Sequence, residues 1–127
     1  MVIATASPQE LADAFAHVLG ADAALGTQAE IRNGKFTGLL KEPVAHGPVK
    51  AHRVLTWLIQ HGIDPGTTWG FSDSINDTPL LNAVGLRVVV NADAKLRELA
   101  RKRGWVELNE GDDWSVVKKR IQAHAML

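Results

Sequence analysis

The 127 residues carry 14 Lys+Arg against 14 Asp+Glu, so the formal net charge at pH 7 is +0. That balance argues against a chain devoted to nucleic-acid phosphates. The lack of cysteine excludes disulfides and thiolate metal sites. No leader sequence is visible and no apolar run is long enough to span a bilayer, so the expected location is cytoplasmic, with no membrane partner. The length predicts one domain over residues 1–127, able to bury roughly two-thirds of its unfolded surface.

The apolar run Val2-Ile3-Ala4 predicts a short strand that leads into Thr5-Ala6-Ser7. Ser7, Pro8 and Glu10 have the spacing of a capping box, with Pro8 in the first helical position. Leu11, Phe15, Val18 and Leu19 then recur on one helical face, and Gly20 stops the helix. A helix start flanked by hydroxyls suits an anion. Ser7 alone reads as a cap; Thr5, before the cap at the strand end, could turn its hydroxyl to a ligand. Residues 24–31 and 35–40 flank Asn33-Gly34, a strong hairpin signal, with Ala29, Ile31 and Phe36 as its apolar positions.

A loop over residues 42–47 leads to a helix opened by Gly47-Pro48. Its stripe is Val54, Leu55, Leu58 and Ile59, and Gly62 ends it. Lys50 falls in the first turn, where a cation opposes the helix dipole and calls for an anion or for solvent. Alone it would be a surface lysine; beside a carboxylate loop it could balance a phosphate.

That loop is the informative part of the chain: Trp69-Gly70-Phe71-Ser72-Asp73-Ser74-Ile75-Asn76-Asp77-Thr78-Pro79-Leu80-Leu81. It opens as a strand and restarts as a helix, with Thr78 as its cap and Pro79 in its first turn. Asp73 and Asp77 therefore sit just beyond the carboxyl end of a strand, where open α/β sheets place ligands. Two close carboxylates repel unless a cation or proton neutralises them, and oxygen-only ligands suit Mg²⁺. An isolated stretch of this kind is more often an acidic turn; the neighbouring elements favour the functional reading.

Residues 86–90 form the most uniformly apolar, β-branched run, as expected of a buried parallel strand. Residues 91–93 supply caps. Leu96, Leu99 and Ala100 stripe a helix ended by Gly104, with Arg97, Arg101, Lys102 and Arg103 on its solvated face. A last strand over 105–108 and an acidic turn over 109–113 precede a helix over 114–126, marked by Trp114, Val117 and Ile121. His17, His46, His52, His61 and His124 show no metal-ligand spacing.

Taken in order, these pieces resemble the C-terminal part of a haloacid dehalogenase superfamily phosphatase, on its phosphoserine-phosphatase-like branch. The matching features are Val2-Ile3-Ala4-Thr5, Lys50 at a helix start, and Ser72-Asp73-Ser74-Ile75-Asn76-Asp77. The Asn33-Gly34 hairpin, Val84-Gly85, Val90-Asn91-Ala92-Asp93 and Gly104-Trp105 match as well. The resemblance spans about residues 1–108. It implies an α/β fold, a three-layer Rossmann-like parallel sheet, here without the family's first central strand and its cap. It also implies roles. Thr5, Ser7, Lys50 and Asn76 would bind phosphate. Lys50 and Asp77 would be catalytic. Asp73 would ligate Mg²⁺, and Asp77 would support the metal or position Lys50.

One departure matters. The family's Asp-x-Asp signature occurs nowhere in this sequence. Its first Asp is the nucleophile and its second the general acid/base. The expected function is thus Mg²⁺-dependent hydrolysis of a small phosphomonoester through an aspartyl-phosphate in the full-length family, with this chain alone lacking the nucleophile. Phosphoserine is the family-level substrate. The alternative is a non-catalytic remnant or binding module that keeps a Mg²⁺ or phosphate site. A receiver-like signalling domain uses similar groups, but the order of the signatures fits it poorly. The absent strand would lie between the strands ending at Thr5 and Ser72. That predicts a rearranged sheet, a homo-oligomer or a complementing chain on exposed edges.

Overall fold

Parallel strands alternating with helices make up most of the chain, which a computed structural model describes over residues 1–125. The elements are β1 (Val2–Pro8), α1 (Gln9–Leu19), β2 (Ala23–Thr27), β3 (Ala29–Arg32), β4 (Lys35–Leu40) and α2 (Pro48–Gln60). Then follow β5 (Trp69–Ser72), α3 (Thr78–Ala83), β6 (Leu86–Val90), α4 (Ala94–Arg103), β7 (Val106–Leu108) and α5 (Trp114–Ala125). Met126, the last residue of the expected final helix, lies outside the described residues. Short 3-10 turns, Pro65–Thr67 and Ile75–Asp77, lead into β5 and α3.

The strands form three groups rather than one sheet. β1 pairs parallel with β2, β3 pairs antiparallel with β4, and β5-β6-β7 form a parallel set. β1 therefore has a neighbour on one side only, and so has β5. Burial follows the pairing. Val88 and Val89 of β6, flanked on both sides, are 0% and 1% exposed. No residue of β1 is buried. Among the described residues no strand bonds β1 to β5, so each keeps one unpaired edge.

Several local expectations change. Residues 24–31 are not one hairpin arm: β2 ends at Thr27 and belongs with β1, and the hairpin begins at Ala29. Its turn, Asn33 and Gly34, has φ of 52° and 75°, as a two-residue hairpin turn requires. The capping box does not form. Ser7 and Pro8 stay extended in β1, α1 has no side-chain cap, and the Ser7 N–H donates to Thr5 Oγ1 at 3.1 Å. Thr78 does not cap α3 either; it lies inside the helix and its hydroxyl donates to the Ile75 carbonyl at 2.6 Å.

Helix faces change too. α1 packs through Ala12 and Ala16, while Leu11, Phe15, Val18 and Leu19 remain exposed. Small residues win this face because the helix approaches β2 closely: a Cβ on Gly26 would lie 3.1 Å from the Ala12 Cβ. α2 packs through Ala51 and Leu58, and Ile59 points outward. Val117 anchors α5, whereas Trp114 is exposed. The arginine face of α4 is not simply solvated. Arg97 and Arg101 pair with Glu107, and Arg103 joins Arg87 over the Trp105 ring at 5.4 and 5.6 Å.

The core cluster sits in the β5-β6-β7 half: Leu81, Val89, Ala92, Leu96 and Ala100, with Ile75 and Trp105 against it. Gly85 joins this half to the turn before β5. Its N–H donates to the Pro65 carbonyl at 2.9 Å, and a Cβ there would stand 1.7 Å from the Gly66 carbonyl oxygen. Gly85→Ala must push backbone from backbone. We expect a stability loss of about 1–3 kcal/mol, read as a lower denaturant midpoint in urea unfolding; an unchanged midpoint would contradict the close approach.

Candidate functional site

The loop between β5 and α3 is ordered by its own side chains. The Ser74 side chain accepts from the Asn76 N–H, and Ser72 Oγ accepts from the Ser74 N–H. Asp93, at the start of α4, accepts from the Ile75 N–H at 2.9 Å and from the Leu96 N–H at 2.8 Å. Those two bonds, Leu96 first and Ile75 second, hold its carboxyl below the ordinary carboxylate range. The Asp93 N–H in turn donates to the Asp73 carbonyl. Loop and α4 are thus locked together at the carboxyl end of β5 and β6.

Within that frame the two loop carboxylates have different fates. Asp77 is half-enclosed and fully engaged. Oδ1 accepts from Lys50 Nζ at 2.9 Å, and Oδ2 accepts from the Ser72 hydroxyl at 2.6 Å. The side chains of Lys50 and Asp77 are 12% and 15% exposed, so the pair is shielded from bulk water. Asp73 is exposed, and among the described residues its carboxylate makes no hydrogen bond or ion pair. The repulsion expected between neighbouring carboxylates is relieved by Lys50 at Asp77 and by water at Asp73.

Lys50 reaches Asp77 because of how α2 begins. Gly47 adopts φ 54° and ψ −126° and is buried. A Cβ on Gly47 would lie 3.9 Å from the Asn76 carbonyl, so the helix start abuts the acidic loop. The preceding residue pair is tied to the other half of the molecule. The Thr27 hydroxyl donates to the Ala6 carbonyl at 2.8 Å and accepts from the Ala45 N–H at 3.0 Å. The carboxyl ends of β1, β2 and β5 thereby meet the N-terminus of α2.

Of the residues singled out from sequence, the structure brings Lys50 and Asp77 into direct contact and sets Asn76 and Asp73 on the same loop. Thr5 and Ser7 lie at the end of β1 and bond to each other, and the Ala6–Thr27–Ala45 chain ties that strand end to the loop before α2. His46 is exposed beside Gly47. Sequence reasoning gave no role to two residues that shape the site, Ser72 and Thr27, and gave Asp93 only the helix cap that it does form, not its bond to the loop. Ser72 could have been found from its place two residues beyond Gly70 at a strand end; Thr27 carried no signal.

A metal would find few ligands here. The described residues hold no group of three His, Cys or carboxylate side chains able to bind one. Asp73 is one open carboxylate. That fits Mg²⁺, which keeps several waters and commonly takes one or two carboxylates plus substrate phosphate; it does not fit a dedicated all-protein cage. No helix among the described residues is long and apolar enough to cross a membrane.

Comparison with known proteins gives consistent results. The family model of haloacid dehalogenase-like hydrolases matches residues 1–82. A Mycobacterium tuberculosis protein described as phosphoserine phosphatase SerB1 is 48% identical over 101 residues, which cover 80% of this chain and 33% of that one. A Bordetella pertussis structure of unknown function matches with TM-score 0.78 and 32% identity, over 84% of this chain and 49% of that one. A probable phosphoserine phosphatase from Vibrio cholerae matches with TM-score 0.75 and 26% identity, over 98% of this chain and 37% of that one. The chain spans about a third of the length of the first curated relatives it matches.

The unequal environments of the two carboxylates set a stability test. Asp77→Asn leaves Lys50 shielded without a counter-charge, and we expect a loss of about 3 kcal/mol in urea unfolding. Asp73→Asn, at an exposed side chain, should stay within about 0.5 kcal/mol of the parent. Equal losses would contradict the pairing.

Proposed function

The chain belongs to the haloacid dehalogenase-like hydrolase family, and on that premise we propose that it carries the phosphate- and Mg²⁺-binding half of a phosphomonoesterase site of the phosphoserine-phosphatase type. The observation that carries this reading is Lys50, held by Asp77 at the start of α2 beside the open carboxylate of Asp73. Phosphoryl transfer needs fixed positive charge around a transferring anion, and a lysine whose position is set by a shielded carboxylate supplies it.

In this reading Lys50 neutralises a phosphoryl oxygen. Asp77, both of whose oxygens are engaged, acts as the positioning residue for Lys50, and Ser72 orients Asp77. Asp73 is the protein ligand to Mg²⁺, with water and phosphate oxygens completing the shell. Bound there, Mg²⁺ would offset the charge that develops on the transferring group. Asn76 and the Thr5 hydroxyl offer further donors to phosphate, and Ser7 offers its hydroxyl from the same strand end. The substrate class is a small phosphomonoester, with phosphoserine suggested by the relatives' descriptions.

A phosphoryl-accepting Asp-x-Asp is absent from the sequence. Taken alone, the chain is therefore proposed to bind phosphate without turning it over. That is the point at which the second reading, a binding module, meets the first. Calorimetric titration of inorganic phosphate in the presence of Mg²⁺ tests the site. Lys50→Met should weaken phosphate at least about tenfold, a loss of about 1.4 kcal/mol, and Asp73→Asn should remove the dependence on Mg²⁺. Phosphate binding unchanged in both variants, or hydrolysis of p-nitrophenyl phosphate by these 127 residues alone, would overturn this assignment.

A further inference from the structure

We propose that Asp93 is the positioning residue for Asp73: through its carboxylate and its N–H it clasps the loop after β5 and so sets the Mg²⁺ affinity of the site. This role rests on the reading of Asp73 as the protein ligand to Mg²⁺.

Asp73 has nothing else to aim it. Its carboxylate is exposed and, among the described residues, makes no hydrogen bond or ion pair. Its direction is therefore set by its own backbone and two side-chain torsions. That backbone is held at two points, and Asp93 supplies both. The Asp93 N–H donates to the Asp73 carbonyl at 2.9 Å. Asp93 Oδ2 accepts from the Ile75 N–H at 2.9 Å. Ser74, between the two, is extended, with φ −121° and ψ 137°. A carboxylate presented on a fixed backbone loses less freedom when it takes a cation.

A helix cap alone does not account for this arrangement. Capping needs one oxygen, and Oδ1 supplies it by accepting from the Leu96 N–H at 2.8 Å. The second oxygen reaches outside α4, to a loop 18 residues earlier in the chain. Serving both N–H groups takes two acceptor oxygens, which among the usual caps only aspartate has. The clasp is also firmly anchored. Ala92 and Leu96, on either side of it, are 7% and 0% exposed in the core cluster, and Ile75 packs against that cluster.

The site is then held by two networks. Ser72 and Asp77 fix Lys50, and Asp93 fixes Asp73. They meet at Ser74, whose N–H donates to Ser72 Oγ at 3.2 Å. Loss of the Asp93 clasp should therefore reach the cation and spare the phosphate contact of Lys50.

Asp93→Ser and Asp93→Asn each keep one cap acceptor for Leu96 and lose the clasp on Ile75. Mg²⁺ alone is titrated by calorimetry into the parent and each variant; inorganic phosphate is then titrated without Mg²⁺. Both variants should bind Mg²⁺ about tenfold more weakly, with metal-free phosphate affinity unchanged. The Ile75 amide should exchange faster in both, which loss of charge alone would not cause. A purely structural role for Asp93 would lower both affinities together. Equal Mg²⁺ affinity in parent and variants, or equal losses for Mg²⁺ and metal-free phosphate, would overturn this role of Asp93 alone. A parent that binds no Mg²⁺, or binds it as well after Asp73→Asn, would overturn the reading of Asp73 and this role with it.

Discussion

The Lys50–Asp77 ion pair joins the two halves of the molecule side chain to side chain. On one side lie β1, β2, the hairpin and the loop that starts α2; on the other lie β5 to β7 with α3 and α4. No backbone ladder connects these halves. Their registration instead depends on α2, on the Thr27 bonds below it, and on one lysine reaching across to a carboxylate that a serine also holds. The pair is shielded enough that losing either partner strands a charge. The structural tie and the group proposed to meet phosphate are therefore the same ion pair. That explains why Lys50 sits in a helix first turn, where the dipole alone disfavours it.

The parts of the fold set by local chemistry were legible in the sequence. Asn33-Gly34 specified its hairpin turn, the β-branched run at 86–90 specified a strand buried on both sides, and Gly20 and Gly104 stopped their helices in left-handed conformations. Where the reading failed, tertiary contact outweighed pattern. The stripe Leu11, Phe15, Val18 reads as the buried face of α1, yet the close approach of the helix to Gly26 admits only Ala12 and Ala16. Ser7, Pro8 and Glu10 have the right spacing for a cap, but pairing of Pro8 with Thr27 in the β1-β2 ladder keeps that segment extended.

The candidate site was legible in its residue types and not in its bonds. Lys50, Asp73 and Asp77 could be picked out from helix and strand position. Which carboxylate the lysine would take was implied only by the family resemblance, since the bond itself depends on the reach of α2 and on Ser72. The same limit applies to Asp93. Its place before a helix announces a cap, while its second bond, to Ile75, exists only because β5 and β6 lie side by side. Membership in the haloacid dehalogenase-like family accounts for the order of these features. The geometry accounts for the division of labour between a held carboxylate and an open one.

Two half-sheets stand with open inner edges, held in place by side chains rather than by a ladder. Amide hydrogen exchange on the isolated chain tests it residue by residue. The Ala4 and Phe71 amides should exchange quickly, while those of Val88 and Val90, in the doubly flanked β6, should be the slow ones. Protection of Ala4 and Phe71 equal to that of β6 would mean that the gap is closed in solution and that the two edges are not open.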